Sequence, residues 1–116
     1  MATFVLVHGA WHGAWCWGRL TPELEARGHA VIAMDLPSDE PGVSFDGYAD
    51  VVASALDQAL AGPLILVGHS LAGLTIPLVP ARRPVDQLVY LCAMPPRPGS
   101  SFVEQVASEP DMLDAN

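Results

Sequence analysis

Four short apolar runs along the chain predict the strands of a sheet. They cover residues 3–7, 30–34, 64–67 and 88–92, and each is rich in valine, isoleucine or leucine. None of them alternates apolar with polar positions, which is typical of strands covered by helices on both faces. Such strands are usually parallel, because helical crossovers join them. The pattern therefore predicts an α/β fold, with a parallel sheet of about four strands flanked by helices.

The segments between these runs have helical patterns. The clearest covers residues 46–61, where apolar residues recur at i, i+3, i+4 and i+7 and a glycine-proline pair follows as a stop signal. A second helix is expected over residues 14–27, with Thr21-Pro22 either starting a new segment or kinking a continuous one. A third is expected over residues 70–79, short or bent because it contains proline.

Composition limits the fold and the class of partner. The chain has 116 residues, 51% of them hydrophobic, which is enough for one modest core. Its net charge of -8 argues against nucleic acid or an anionic membrane as partner. The first apolar run ends at His8, too short for a signal peptide or a membrane span, so we expect a cytoplasmic protein. Cys16 and Cys92 lack metal-ligand spacing, and we expect buried free thiols and no metal or organic cofactor.

The strongest chemical signal is a small-residue turn at the end of the third apolar run, with the sequence Gly68-His69-Ser70-Leu71-Ala72-Gly73. The turn presents Ser70 at the start of a helix, and the residues two positions away on either side must be small to avoid a clash. Gly68 and Ala72 meet this requirement. The segment resembles the nucleophile elbow of α/β-hydrolases, with alanine in place of the second glycine of that motif. A plainer interpretation is that Ser70 is only a helix N-cap.

A second motif follows the first apolar run, where a histidine-glycine pair, His8-Gly9, opens a loop. In α/β-hydrolases a pair of this kind shapes the loop that supplies one oxyanion donor. The resemblance therefore implies that the backbone N–H groups of Ala10 and Leu71 bind the oxyanion. His8 and His12 are expected to orient the loop by hydrogen bonding.

The resemblance can be narrowed with residues 5–15 and 28–36, which look like the plant methylesterase and hydroxynitrile lyase branch and its bacterial relatives. The likeness extends to Pro96. In that branch the lyases have a threonine directly after the first histidine, whereas this chain has Gly9 and so matches the esterases. The resemblance implies hydrolysis of a small carboxylic ester, with Ser70 as nucleophile and a histidine as base. Lyase activity is the less favoured alternative.

The acid and the histidine of a catalytic triad are not identifiable in this sequence. In the α/β-hydrolase order both follow the serine, but all four histidines here precede Ser70. His69 is adjacent to the serine, and neighbours on a tight turn point in different directions. Asp86 precedes a strand, at the wrong end for catalysis, and the other late acids lie in the tail. We therefore expect an N-terminal portion of an enzyme, with little or no activity by itself.

This incompleteness leads to expectations about domains and partners. Residues 1–96 would form an incomplete hydrolase core, and residues 97–116 the start of a cap or a disordered tail. The last strand would have an uncovered edge, which predicts self-association or a complementary C-terminal fragment as partner. A non-catalytic fragment that binds a ligand or a partner is the alternative that the missing base favours.

Other candidate features have plainer explanations. Trp15 and Trp17 are expected in the core. For Trp11 the sequence leaves two roles, packing in the core or lining a pocket. Asp35 would accept hydrogen bonds from the loop that follows it, or bind a ribose in a dinucleotide-binding module. The glycines argue against such a module, because Gly9 and Gly13 do not form the GxGxxG pattern that admits a pyrophosphate.

Overall fold

Four parallel strands form one sheet, as the apolar runs predict. The computed structural model describes residues 1–10, 12–37, 42–59 and 62–93. Within these ranges the strands are Thr3–Val7 (β1), Ala30–Ala33 (β2), Leu64–His69 (β3) and Gln87–Leu91 (β4). The strand order is β2-β1-β3-β4, and every pair is parallel. The strand bounds differ from the predicted ones by at most two residues.

The register of β1 against β3 decides where the functional loops lie. Val7, the last residue of β1, pairs with Gly68 near the end of β3. Because the strands are parallel, the loops that follow them leave the sheet at the same edge and side by side. The loop that contains His8 and the turn that contains Ser70 are therefore neighbours.

In the described part of the chain, two α-helices and several short 3-10 segments connect the strands. The α-helices are Leu20–Ala26 (α1) and Phe45–Ala55 (α2), and the 3-10 turns cover Ala14–Trp17, Leu56–Gln58, Ser70–Leu74 and Ile76–Leu78. Pro22 lies in the first turn of α1, where a missing N–H leaves no hydrogen bond unmade. The predicted helix over residues 14–27 is two segments, which divide at Gly18 and Arg19 and not at Thr21-Pro22.

The other two predicted helices end in, or consist of, 3-10 turns. α2 begins after Ser44, whose hydroxyl accepts a hydrogen bond from the Gly47 N–H at 3.2 Å. It continues as the 3-10 turn to Gln58, and residues 60 and 61 of the predicted helix lie outside the described residues. The segment after Ser70 is the short, interrupted helix that its prolines predict.

Apolar side chains cover both faces of the sheet. On one face Val5, Val7 and Leu66 pack with α2 and the segment after β3, and on the other Leu6 and Val67 pack with Trp17. Helical segments on both faces explain why the strands read as continuous apolar runs instead of alternating ones.

Two expectations about burial are wrong. Trp17 is 5% exposed, as expected, but Trp15 is 71% exposed and stacks on the ring of His12, with centroids 5.4 Å apart. A 3-10 helix has three residues per turn, so Trp15 cannot share the buried face of Trp17, two positions later. Cys92 is exposed because it follows the outer strand β4, and Cys16 is only partly buried.

The edge of the sheet at β4 is apolar. Among the described strands β4 pairs only with β3, and Tyr90 and Leu91 on it are 45% and 42% exposed. This agrees with the uncovered edge expected from the sequence, within the described part of the chain. In that same part, no helix has the length and hydropathy needed to cross a membrane.

Candidate active site

The backbone at Ser70 has the strained conformation of a nucleophile elbow. Ser70 follows β3 directly and has a φ of +55°, in the left-handed region that residues other than glycine rarely adopt. The N-cap position of the following 3-10 turn is His69, and in the described part of the chain no side chain caps that turn. Ser70 is therefore not the N-cap that the plainer interpretation required.

The small residues around Ser70 are required by close packing. A Cβ on Gly68 would lie 2.9 Å from both Cδ1 and Cγ2 of Ile76 and 3.1 Å from the carbonyl oxygen of Ala72. Distances under 3 Å are too short for carbon atoms in contact, so any side chain here would push the helical segment away from the strand. Ala72 and Gly73 are buried in the same place.

Gly9 brings the first loop directly against Ser70. A Cβ on Gly9 would lie 3.0 Å from the Cβ of Ser70 and 3.0 Å from the carbonyl oxygen of His69. The absence of a side chain at this position lets the two backbones approach each other. The two motifs that the sequence singled out thus form one site.

Two histidines hydrogen-bond to this loop. His8 is 1% exposed, and its Nδ1 lies 2.7 Å from the carbonyl oxygen of Gly9. Its Nε2 accepts a hydrogen bond of 2.9 Å from the backbone N–H of Leu36. His12 is exposed, and its Nδ1 lies 2.8 Å from the carbonyl oxygen of Ala10.

A small depression lies between the loop and the elbow. Its empty volume is about 220 Å³, including the part open to solvent, and its walls are His8, Gly9, Ala10, Leu36, Tyr48, Leu71, Ala72 and Thr75. Both residues whose N–H groups were expected to bind an oxyanion, Ala10 and Leu71, are among these. The walls are mostly apolar, and backbone donors act more strongly on a developing charge in such surroundings than in water.

Comparison with known proteins identifies the family. Residues 4–115 match the family described as Alpha/beta hydrolase family. The chain belongs to the α/β hydrolase family. The dinucleotide-binding alternative is therefore set aside, and the predicted fold class is confirmed.

Relatives of this chain include plant esterases. The protein named Probable esterase PIR7A of Oryza sativa subsp. indica is 41% identical over an alignment of 107 positions, and the match covers 83% of this chain and 40% of the rice protein. The (S)-hydroxynitrile lyase of Manihot esculenta is 40% identical over an alignment of 95 positions, and the match covers 75% of this chain and 36% of the lyase. The crystal structure of polyneuridine aldehyde esterase has a TM-score of 0.75 and 32% identity, over 98% of this chain and 51% of that one. The predicted resemblance to the esterase branch is confirmed.

The chain spans between 36% and 51% of the length of these relatives. The expected cap or tail, residues 97–116, lies outside the described residues, and so do Trp11 and the acidic residues of the tail, Glu104, Glu109, Asp111 and Asp114.

The remaining candidates lie where they cannot activate Ser70. The ring of His69 packs edge-on against His12 and Trp17, with centroids 6.0 and 6.3 Å away, and in the described residues it makes no hydrogen bond to Ser70. Asp86 accepts a hydrogen bond of 2.7 Å from the Leu64 N–H, at the start of β3 and thus at the opposite end of the sheet from the elbow. Both placements agree with the sequence analysis.

Asp35 binds the loop after β1. Its Oδ1 accepts a hydrogen bond of 2.8 Å from the Ala14 N–H. Residues 38–41 of the loop that follows Asp35, from which hydrogen bonds were expected, lie outside the described residues. β1 and β2 are adjacent, so the loop after β1 passes the end of β2. Gly13 allows this approach, because a Cβ there would be 2.6 Å from the same carboxylate oxygen.

Sequence reasoning missed three residues that line the depression: Leu36, Tyr48 and Thr75. Leu36 had a usable signal, because residues just after a parallel strand lie at the carboxyl edge where α/β folds bind ligands. Tyr48 reaches the site from α2, and no local pattern marks a helical tyrosine as part of a distant pocket. Thr75 is buried, at 1% exposure, just beyond the elbow.

Proposed function

We propose that this hydrolase acts on a small carboxylic ester, with Ser70 as nucleophile and the backbone N–H groups of Ala10 and Leu71 as oxyanion donors. The observation that carries the proposal is the strained φ of +55° at Ser70, directly against Gly9. Strain of this kind persists where the surrounding structure enforces it, and it concentrates at functional sites.

The proposed reaction has two steps. Oγ of Ser70 bonds to the carbonyl carbon while its proton passes to a base, and the carbonyl oxygen takes the negative charge. Ala10 and Leu71 stabilise that charge with their N–H groups. The tetrahedral species then expels the alcohol, which takes the proton back, and water hydrolyses the acyl-serine to release the carboxylic acid.

The proposal takes the base from residues beyond the described ones. The two ring nitrogens of His8 are both occupied, and His29 lies at the far end of the sheet, where its Nδ1 accepts a hydrogen bond from Ala2. We propose that a complementary C-terminal segment supplies the histidine and the acid, and that the apolar edge at β4 is where it adds to the sheet. The 116-residue chain by itself is then expected to be weakly active or inactive.

Esterase chemistry is favoured over lyase chemistry by Gly9. By the resemblance, the lyases have at this position a threonine that contacts the hydroxyl of the cyanohydrin. Glycine offers no hydroxyl there, so this chain lacks the group that would hold that substrate.

Chemical rescue tests the proposal on the chain as it exists. The protein is incubated with a fluorophosphonate probe, with and without free imidazole as a substitute base, and labelling is followed by intact-mass spectrometry and peptide mapping. Imidazole is expected to accelerate labelling at Ser70 by about tenfold, below the roughly hundredfold that a positioned base contributes. Ser70→Ala should abolish the labelling, and the matched control Ser54→Ala, on the exposed side of α2, should not.

Each outcome has a distinct meaning. Labelling of Ser70 without imidazole would show that the chain contains its own base, and the argument for a complementary segment would be wrong. No labelling with imidazole would contradict the nucleophile and favour the non-catalytic alternative, a fragment that only binds.

A further inference from the structure

We propose that Arg82 is a positioning residue that holds α2 against the segment after the elbow and so keeps Tyr48 in the wall of the depression. There Tyr48 limits the size of the substrate group that lies beside the oxyanion donors. This inference rests on the proposed function, because the depression is the site of that mechanism. It gives Arg82 and Tyr48 a part in substrate selection and assigns neither of them to the chemical step.

Two of the elements around the depression are far apart in the chain. Tyr48 belongs to α2, whereas Leu71, Ala72 and Thr75 belong to the segment after β3. The width of the depression therefore depends on the distance between α2 and that segment. Whatever fixes this distance decides how large a group can enter.

Arg82 is anchored on the segment after the elbow. Its Nη1 donates a hydrogen bond of 2.8 Å to the carbonyl oxygen of Leu78, and the N–H of Leu78 binds the carbonyl oxygen of Thr75 at 3.0 Å. The backbone N–H of Arg82 binds the carbonyl oxygen of Val79 at 2.8 Å. Thr75 and Val79 are buried, at 1% and 0% exposure. The anchor is therefore rigid, because side chains in a close-packed core have no space into which to shift.

From this anchor Arg82 reaches two acids one turn apart on α2. Its Nη2 donates a hydrogen bond of 3.1 Å to the carboxylate of Asp46, and its Nε donates one to the carboxylate of Asp50. Tyr48 lies midway between these acids in sequence and, at about 100° per residue, on the opposite side of the helix. Arg82 thus holds α2 from its outer side, while Tyr48 faces the depression.

The turn of α2 that carries Tyr48 needs this support. Gly47 weakens it, because glycine is a poor helix former. Tyr48 is only half-buried, whereas Ala49 and Val52 are 0% exposed, so the core holds Tyr48 less firmly than it holds them. The side chain of Arg82 is 27% exposed and binds two carboxylates. Such a network stabilises more than an isolated ion pair on the surface does.

The neighbouring Arg83 offers a matched control. Its guanidinium pairs with the carboxylate of Asp57, in the 3-10 turn that follows α2. The same charge at the adjacent position therefore binds the other end of this helical segment, away from Tyr48. Replacing Arg83 removes an ion pair of the same kind without releasing the turn that carries Tyr48.

The first experiment follows amide hydrogen exchange in the chain without substrate. The N–H of Tyr48 binds the carbonyl oxygen of Ser44 at 3.0 Å, so its exchange reports the opening of the first turn of α2. Arg82→Gln should speed this exchange by about fivefold, and Arg82→Lys, which keeps the charge without the forked geometry, by about twofold. Arg83→Gln should leave it unchanged. The amide of Leu66 in β3 should exchange equally in all four proteins, and it detects a general loss of stability.

The second experiment measures the size of the group that the depression admits. Two fluorophosphonates that differ only in the substituent on phosphorus, methyl or cyclohexyl, are compared with free imidazole as the base. In each reaction Oγ of Ser70 bonds to phosphorus, fluoride leaves and imidazole takes the proton. A cyclohexyl ring occupies about 180 Å³ if each carbon takes the roughly 30 Å³ of a water molecule. This is close to the whole empty volume of about 220 Å³, so the wild type should prefer the methyl probe by about tenfold.

The expected effect is on selectivity. Arg82→Gln should lower the ratio of the methyl rate to the cyclohexyl rate by about threefold, through a faster cyclohexyl reaction, and should leave the methyl rate within about twofold. Arg83→Gln should keep the wild-type ratio. Salt at about 1 M, where the Debye length falls to about 3 Å, should lower the ratio in the wild type and not in Arg82→Gln.

The outcomes separate the inference from the function on which it rests. If neither probe labels Ser70 in the wild type with imidazole, the proposed function is contradicted, and the part of Arg82 in substrate selection falls with it. If Ser70 is labelled and Arg82→Gln keeps the wild-type ratio, only the inference is overturned. Unchanged exchange at Tyr48, or equal effects of the Arg82 and Arg83 substitutions, would overturn it as well. If Arg82→Gln does not fold, the salt dependence of the wild-type ratio decides.

Discussion

Val7 and Gly68 are partners in neighbouring parallel strands, and Gly9, two residues after Val7, lies against Ser70, two residues after Gly68. The site is therefore a direct consequence of strand register. A shift of the β1–β3 register by one residue would move Ser70 away from the loop after β1. It would also turn the side chains of the shifted strand to the opposite faces of the sheet. This relationship makes the packing between Gly9 and Ser70 a suitable target for mutation.

Gly9→Ala should destabilise the fold by about 1–3 kcal/mol, because the new methyl group would lie against Ser70 Cβ and the His69 carbonyl oxygen. Repeating the substitution in a Ser70→Gly background removes one of these contacts, and the cost should fall by about 1 kcal/mol. Urea denaturation of the four proteins measures the coupling. An equal cost in both backgrounds would show that the contact with Ser70 does not matter.

Ser70→Gly by itself should stabilise the protein by about 0.5–1 kcal/mol, because glycine adopts a positive φ without the penalty that serine incurs. Ser70→Ala keeps the penalty and should give no such gain. The matched control is Ser54→Gly, within α2, which should destabilise by about 0.5 kcal/mol through lost helix propensity. Opposite signs for the same chemical change would confirm that the backbone at Ser70 is strained, and a loss of stability at both sites would refute it.

Gly68→Ala should cost about 1–3 kcal/mol, since its methyl group would meet two carbons of Ile76 at 2.9 Å. Ile76→Ala removes both of these carbons and leaves a cavity of its own. The double variant should therefore be more stable than the sum of the two single costs predicts, a coupling that thermal or urea unfolding can measure. Strictly additive costs would mean that the Ala72 carbonyl, and not Ile76, excludes a side chain at Gly68.

The two thiols should differ in reactivity. Burial raises the pKa of the Cys16 thiol above its ordinary value of 9.0, with a backbone hydrogen bond opposing in part, while Cys92 is exposed. The thiolate is the reactive form, so iodoacetamide at about pH 8 should label Cys92 first. Peptide mapping after brief labelling checks this order, and equal labelling of both cysteines would contradict it.

The raised pKa of the Cys16 thiol also makes the stability of the fold depend on pH. A pKa that is higher in the folded than in the unfolded state means that the folded protein favours the neutral thiol. The resulting contribution to the free energy of unfolding is present below the ordinary pKa and is lost as pH rises through the folded value. Between about pH 8 and about pH 10, the wild type should therefore lose more stability than Cys16→Ala. Denaturation curves at these pH values test the difference, and parallel losses in the two proteins would argue against the shift.

The local patterns were sufficient for the sheet and for the central residues of the site. Continuous apolar runs predicted covered parallel strands, and Gly68, Ser70 and Ala72 predicted the elbow, because both depend on constraints that act over a few neighbouring residues. The likeness of the loop after β1 to a known motif predicted His8 and Gly9 as its shaping residues. The roles of Ser70, Ala10 and Leu71 in catalysis stay predictions, which the labelling experiment tests.

The sequence by itself determined the strands, their parallel arrangement and the tight turn at Ser70, because steric limits on short segments and the covering of both sheet faces leave a direct pattern in the chain. Only the tertiary structure decided the exposure of Trp15 and Cys92, the bond from Ala14 to Asp35, and the presence of Leu36, Tyr48 and Thr75 around the depression. These features depend on which segments meet in space. Such meetings are set by strand order and by packing between residues far apart in the chain, which no local pattern records.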